Sequence, residues 1–332
     1  MRFVSILILL SVDLALASPP YYNSLADVMS KIFDDDFERA ISICDSLSKE
    51  YPDDPSPEVF KMIAKSSQLQ DSENESGLDS LKSEIDYIEK KCIRKWGENP
   101  KDFWGAFIMA DLYGQSAVLS FIGDKRSFVS AWKLSSRAKK LWEYASQDSL
   151  LAVESGNGLG NYYYWISAKA GIIRNIGFVE DRRDTAITML KIASRKGILS
   201  RDSALHSLVF ILLDYGDTAG AKSVVDELLA RHPHSRTAHW DKLIFNLSVE
   251  NWQPVKSIAD TLMEYYNGKS DYNMCQLSLA AAYSELELGD TTGCKKYFDI
   301  FKSCANDRII DKICNRGWDK IYDSVRKSCE RK

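Results

Sequence analysis

The heptapeptide Gly216-Asp217-Thr218-Ala219-Gly220-Ala221-Lys222 returns as Gly289-Asp290-Thr291-Thr292-Gly293-Cys294-Lys295. Each copy is followed by the same apolar spacing: Ala221, Val225 and Leu228 in the first, Cys294, Phe298 and Phe301 in the second. Residues at i, i+4 and i+7 share one helix face, so each copy opens an amphipathic helix. Midway between the copies Val255, Ala259 and Leu262 carry the same face behind Asn251-Trp252. The chain therefore repeats about every 34 to 39 residues, the length of a helical hairpin that must stack on its neighbours to bury its apolar face. No stretch shows the alternating pattern of a sheet, so the expected fold class is all-α.

The first hairpin follows the same plan. Leu25 to about Tyr51 reads as two helices with Asp34-Asp35-Asp36 at the turn, Ala40, Cys44 and Leu47 along the second helix, and Pro52 closing it. The run from Asp36-Phe37-Glu38-Arg39-Ala40-Ile41 to Tyr51-Pro52 resembles the second half of a tetratricopeptide repeat. The resemblance recurs at Ala221 to Pro233, and more loosely at Ala138/Trp142/Ala145, Ala186/Leu190/Ala193, Val255/Ala259/Leu262 and Cys294/Phe298/Phe301. It covers most of residues 24 to 304. At the first-helix position where the family carries a small residue, this chain has Val28, Val209 and Leu243, and only Ala282 fits. The stretch from Trp104-Gly105 through Leu112-Tyr113-Gly114 to Tyr162-Tyr163-Tyr164-Trp165 is similar to uncharacterised bacterial secreted tetratricopeptide proteins, with no activity attached. The resemblance implies a right-handed helical-hairpin solenoid with an irregular middle and a C-terminal capping helix. It further implies a scaffold that binds a protein or peptide partner on a concave face lined by the first helices, in the setting of envelope or secretion assembly.

Met1-Arg2, the apolar run Phe3 to Val12 and Ala15-Leu16-Ala17 before Ser18 read as a secretory signal peptide cleaved after Ala17. The run has roughly half of the ~20 residues a membrane span needs, and no later stretch is apolar enough. A periplasmic or secreted chain without a span is expected. With 43 basic and 47 acidic residues the charge is balanced, which disfavours nucleic acid and anionic membranes as partners. The chain has seven cysteines, Cys44, Cys92, Cys275, Cys294, Cys304, Cys314 and Cys329. An odd number leaves at least one unpaired within the chain. With the last three helices laid antiparallel, Cys275 and Cys304 fall at one level and form the first-choice disulfide. Cys294 and Cys314 fall about 6 Å out of level, the limit of what a bridge tolerates.

The expected organisation is a signal peptide at 1–17, a hairpin and irregular helices at 18–160, a regular array at 161–304 and a capping helix at 305–332, with 217–332 packed against the rest as one body. Asp71-Ser72-Glu73-Asn74-Glu75-Ser76-Gly77 reads as a solvated loop exposed to proteases, and Gly156-Asn157-Gly158-Leu159-Gly160 as a helix break. Asp307 to about Cys329 reads as one final helix.

No nucleophile elbow, phosphate loop or dinucleotide fingerprint is present, so neither catalysis nor a cofactor is expected. His232-Pro233-His234 with His239 has spacing that could share a zinc ion, yet it lies in an inter-repeat turn without accompanying Cys or Glu, and His206 reads as a partly buried polar residue. Carboxylates such as Glu154 with Asp148, or Glu180 with Asp181, read as solvated charges. Asn74-Glu75-Ser76 and Asn246-Leu247-Ser248 match a glycosylation acceptor. The candidate partner-binding residues are Tyr162, Tyr163, Tyr164 and Trp165, which point about 100° apart and so cannot all face one neighbour. A rival role is a glycan-binding module or enzyme subunit in which the aromatic middle, Trp104, Tyr113, Trp132, Trp142 and Tyr162 to Trp165, stacks on sugar rings.

Overall fold

The Gly-Asp turn is a punctuation mark built from two complementary residues. Gly216 and Gly289 end their helices at φ +90° and +82°, a left-handed conformation that costs glycine nothing. The following Asp217 and Asp290 then cap the next helix, accepting hydrogen bonds from Gly220 N–H at 2.8 Å and Gly293 N–H at 2.9 Å. A Cβ at Gly220 would lie 2.4 Å from the Asp217 carboxylate, which explains the second glycine of the motif.

In a computed structural model that describes residues 18–73, 75–120, 127–169 and 180–330, these turns join an all-helical chain. The signal-peptide reading of residues 1–17 lies outside the described residues, as does Asn74. The helices are α1 (Tyr22–Phe33), α2 (Phe37–Glu50), α3 (Ser56–Ser72), α4 (Leu78–Trp96), α5 (Phe103–Leu119), α6 (Phe128–Ala145), α7 (Ser149–Lys169), α8 (Arg183–Lys196), α9 (Arg201–Tyr215), α10 (Thr218–Arg231), α11 (Arg236–Ser248), α12 (Trp252–Tyr266), α13 (Asp271–Glu287), α14 (Thr291–Cys304), α15 (Asp307–Ile313) and α16 (Asp319–Glu330). Each packs chiefly on its neighbours in sequence, giving a solenoid-like all-α array. No strand occurs among the described residues.

The small-large-large faces form the core. Ala221, Val225 and Leu228, Val255, Ala259 and Leu262, and Cys294, Phe298 and Phe301 are all buried, and Phe298 stacks on Phe301 with centroids 5.6 Å apart. Burying each large side chain contributes roughly 1.5–3 kcal/mol. The first helices α9, α11 and α13 begin at Arg201, Arg236 and Asp271, a regular step. Within the longer middle helices, α5 is buried around most of its circumference and packs on α3, α4, α6 and α7.

Four expectations are corrected. The glycine cluster 156–160 breaks no helix, because α7 runs through it. Its glycines are contact points instead: a Cβ at Gly158 would lie 2.4 Å from the Trp142 ring, one at Gly160 2.6 Å from Leu190, and one at Gly156 3.1 Å from the Met189 carbonyl. Glycine there permits α7 to approach α6 and α8, and close packing outweighs the ~1 kcal/mol of helix propensity forgone. The acidic stretch from Asp71 belongs partly to the end of α3 and partly to a 3-10 turn at Glu75–Gly77, with its carboxylates in ion pairs. The last helix is split, since Gly317 at φ +90° interrupts it within a π-helical turn at Cys314–Trp318. Finally, Glu154 is not a solvated charge. It is 2% exposed and accepts from Tyr22 Oη (2.6 Å), Ile198 N–H (2.8 Å), Ser200 N–H (2.8 Å) and Ser200 Oγ (2.7 Å), tying α1 and the α8–α9 turn to α7. No described helix is long and apolar enough to cross a membrane.

Candidate binding cleft

The chain folds back on itself, and the closure begins at the acidic α1–α2 turn. Asp35 holds φ +61°, the left-handed place that Gly216 and Gly289 fill in their turns, and Asp36 caps α2 through Arg39 N–H at 3.2 Å. The backbone strain at Asp35 is offset by what its carboxylate reaches. It accepts the Arg236 N–H that opens α11 and lies 3.6 Å from the same residue's guanidinium. Burial pushes Asp35 up to about 6 even against the opposing pull of Arg236.

Beside it, Asp34 meets His232 Nδ1 at 2.8 Å. His232 Nε2 lies 3.1 Å from Asp202, close enough for an ion pair but without hydrogen-bond alignment. Burial opposes charge on this imidazole, but Asp202 and Asp34 outweigh it and raise its pKa above the ordinary histidine value. Burial likewise opposes ionisation of the two carboxylates, and His232, with Arg231 beside Asp202 and Lys31 beside Asp34, holds both below the ordinary range.

The end of α3 supplies the second half of the seam. Asp71 accepts two bonds from Arg236, from Nε at 3.0 Å and Nη2 at 2.8 Å, and a third from Tyr266 Oη at 2.6 Å, while its carbonyl accepts from Asn273 Nδ2 at 2.7 Å. Farther along, Glu73 and Glu75 bind Lys312 at 2.9 and 2.8 Å, Glu73 binds Arg316 at 2.6 Å, and Glu75 binds Arg308 at 2.7 Å. Burial disfavours the Arg236 charge, yet Asp71 and Asp35 together raise its pKa.

Where these walls meet, a cleft of about 330 Å³ remains. Its lining brings together Asp36, Phe37 and Glu38 from the start of α2, Gln68 and Asp71 from α3, and Arg236, Tyr265 and Lys269 from the C-terminal half. The Tyr265 ring has the Arg236 guanidinium and the Lys269 ammonium each 3.8 Å from its centroid, and it stays 36% exposed. An aromatic surface flanked by cations, with carboxylates lining the same cleft, can hold a peptide segment by stacking and by paired charges. A larger cleft of about 590 Å³ at the α4–α5 turn is lined only by residues 95–99, 101 and 102, so no distant element shapes it.

The residues singled out from sequence lie elsewhere. Tyr163 and Tyr164 are buried in α7 and donate to Glu143 at 2.5 Å and Asp214 at 2.7 Å, while Tyr162 and Trp165 are partly buried against the main core. Trp104, Tyr113 and Trp142 are buried as well, and Trp132 is 55% exposed. His206 pairs with Asp241 at 2.9 Å, and His239 Nε2 contacts the Pro233 carbonyl at 3.1 Å. Among the described residues no group of three or more His, Cys, Asp or Glu is arranged to hold a metal. Asn246 is buried, donating to the Lys242 carbonyl and accepting from Asn251, which leaves no room for a glycan. The Cys275 and Cys304 thiols both point at the Phe301 carbonyl, at 3.7 and 3.3 Å. Cys294 lies beside Cys329, with Sγ atoms 3.3 Å apart, and Cys314 stands apart at the π-helical turn.

Two features escaped the sequence reading. Asp34-Asp35-Asp36 reads as a hairpin turn and the stretch from Asp71 as a solvated loop, and the sequence does not single out Arg236, Arg308, Lys312 and Arg316 as their partners. A signal does exist: the acids cluster near the start of the chain and the cations near its end. A second carboxylate, Asp111, accepts from Trp142 Nε1 at 2.8 Å and is pushed up to about 7, first by burial and further by Glu154. Neither Asp111 nor Glu154 lines either cleft.

Comparison with protein-family models found no match, and neither did searches of curated proteins and of solved structures.

Proposed function

We propose that the chain is an exported, right-handed tetratricopeptide-like scaffold, acting by binding rather than catalysis, that holds a protein or peptide segment in the cleft between its N-terminal hairpin and its C-terminal array. The observation that carries this reading is the Tyr265 ring, partly open and flanked by Arg236 and Lys269, in a cleft that Asp36 and Glu38 also line. The packing of α1 on α9 supports placing the partner segment in this cleft rather than along an open concave face. The export part rests on the N-terminal pattern, and the family part on the repeated helix faces.

The test compares wild-type protein with Tyr265→Ala and Lys269→Glu as affinity baits in the extracellular or periplasmic fraction. Both variants should melt near the wild-type temperature, since neither side chain is part of the core, and both should lose the recurrent partner. Undiminished capture by both variants would remove the cleft from the account. N-terminal sequencing of exported protein should begin at Ser18, and recovery of the chain from the cytoplasm starting at Met1 would count against export.

A further inference from the structure

We propose that Cys294 and Cys329 form a disulfide that anchors the C-terminal helix α16 to the last hairpin. Cys294 occupies the small-residue position of its hairpin, the place Ala40 and Ala221 hold in others, on the first turn of α14. Cys329 lies near the end of α16, and the two Sγ atoms are 3.3 Å apart. Side-chain rotation closes that gap to the bond length of about 2.0 Å. Cys314, the partner considered for Cys294 from helix levels alone, sits at the π-helical turn on the far side of Gly317.

The structure gives the bond a purpose. Within α16 only Val325 is fully buried, with Ile321 and Tyr322 partly buried against the core and the Tyr322 ring 5.6 Å from Phe301. That is a thin apolar footing for a terminal helix, and such helices fray unless tied down. A covalent tie near the end of α16 holds the face of α13 and α14 covered along its length.

The chemistry is a thiol–disulfide exchange with an external disulfide such as oxidised glutathione. Cys294 is fully buried, and burial, with the neighbouring Cys329, pushes its thiol up to about 12, so the first attack falls to the more open Cys329. The Cys329 thiolate attacks one sulfur of the external disulfide and expels one glutathione thiolate, which takes up a proton. Cys294 then gives its proton to solvent and attacks Cys329 Sγ, expelling the second glutathione. Two thiols are oxidised and one disulfide is reduced, so atoms and electrons balance.

The test uses the full chain, reduced and then equilibrated in a buffer rich in oxidised glutathione, so its outcome depends on neither export nor partner binding. After acid quench and alkylation, trypsin with a glutamate-specific protease separates Cys275 from Cys294, because Glu285 and Glu287 lie between them. The expected product joins the Cys294 and Cys329 peptides, is absent from Cys329→Ser and persists in Cys314→Ser. Amide exchange in α16 should slow by roughly tenfold or more on oxidation of the wild type and stay unchanged in Cys329→Ser. Alkylated Cys294 and Cys329 after oxidation, a Cys294–Cys314 product, or glutathione retained on Cys329 would each overturn the assignment.

Discussion

Asp71 and Arg236 are 165 residues apart in sequence, yet they form a bidentate pair in which the side chains are only 12% and 13% exposed. Removing one member takes the main charged partner from the other in a poorly solvated seam, leaving Arg236 with Asp35 at 3.6 Å or Asp71 with Tyr266 at 2.6 Å. Breaking such a pair costs about 3–5 kcal/mol. Asp71→Ala and Arg236→Ala should each lower the free energy of urea unfolding by an amount of that order. The double variant should lose clearly less than the sum of the two, and strict additivity would show that the pair is not coupled.

His232 makes the same seam sensitive to pH. Its folded pKa is raised above 6.5 by Asp202 and Asp34, so its contribution is fully present below about pH 6.5 and is lost as pH rises through the folded value. The two carboxylates are held below 3.8, so their contribution is lost as pH falls through that region. The stability difference between wild type and His232→Asn, taken from urea unfolding at several pH values, should be widest between about pH 4 and 6.5 and shrink in the alkaline direction. A difference that does not vary with pH would show that the imidazole carries no charge in the fold.

Asp111 has the opposite sign to Asp34 and Asp202 and the same pH direction as His232. Its folded pKa, pushed up to about 7, exceeds the unfolded value, so ionisation destabilises the fold as pH rises between the two. Asp111→Asn keeps an acceptor for Trp142 Nε1 and removes the charge. It should raise the melting temperature at pH 8, by a free energy on the order of 3 kcal/mol, and change little at pH 4. Equal effects at both pH values would point to altered packing instead.

Gly158 tests why α7 carries glycine. Alanine gains about 1 kcal/mol of helix propensity, but its methyl group would meet the Trp142 ring, and overpacking costs about 1–3 kcal/mol. Gly158→Ala should therefore destabilise the chain despite the better helix former, and pairing it with Trp142→Phe should recover part of the loss. Stabilisation by Gly158→Ala alone would contradict the close approach of α6 and α7.

The hairpins were legible because their signals are local: a left-handed glycine, an aspartate cap three residues ahead of a free N–H, and an apolar face of fixed period. Ala221, Val225 and Leu228 sit where periodicity put them. The glycines at 156–160 misled because propensity acts within one helix, whereas Trp142 and Leu190, which require their smallness, come from two others. Glu154 and the Asp34–Asp36 tip misled for a related reason. A carboxylate in sequence reads as solvated until its donors, here Tyr22, Ser200 and Arg236, arrive from elsewhere in the chain. The Cys294–Cys329 contact was missed because one long final helix was assumed, and Gly317 re-aims its second half.

The closure of the N-terminal hairpin onto the end of the array is open to a zero-length measurement. Glu75 and Lys312 are separated by 237 positions and 2.8 Å, and carbodiimide joins carboxylate to amine only where they already touch. Mass spectrometry of the treated full-length chain should recover a peptide joining Glu73 or Glu75 to Lys312, alongside the local Lys65–Glu84 and Lys91–Glu58 links that serve as internal controls. Recovery of both local links without any link to Lys312 would contradict the closed architecture and, with it, the cleft on which the proposed function rests.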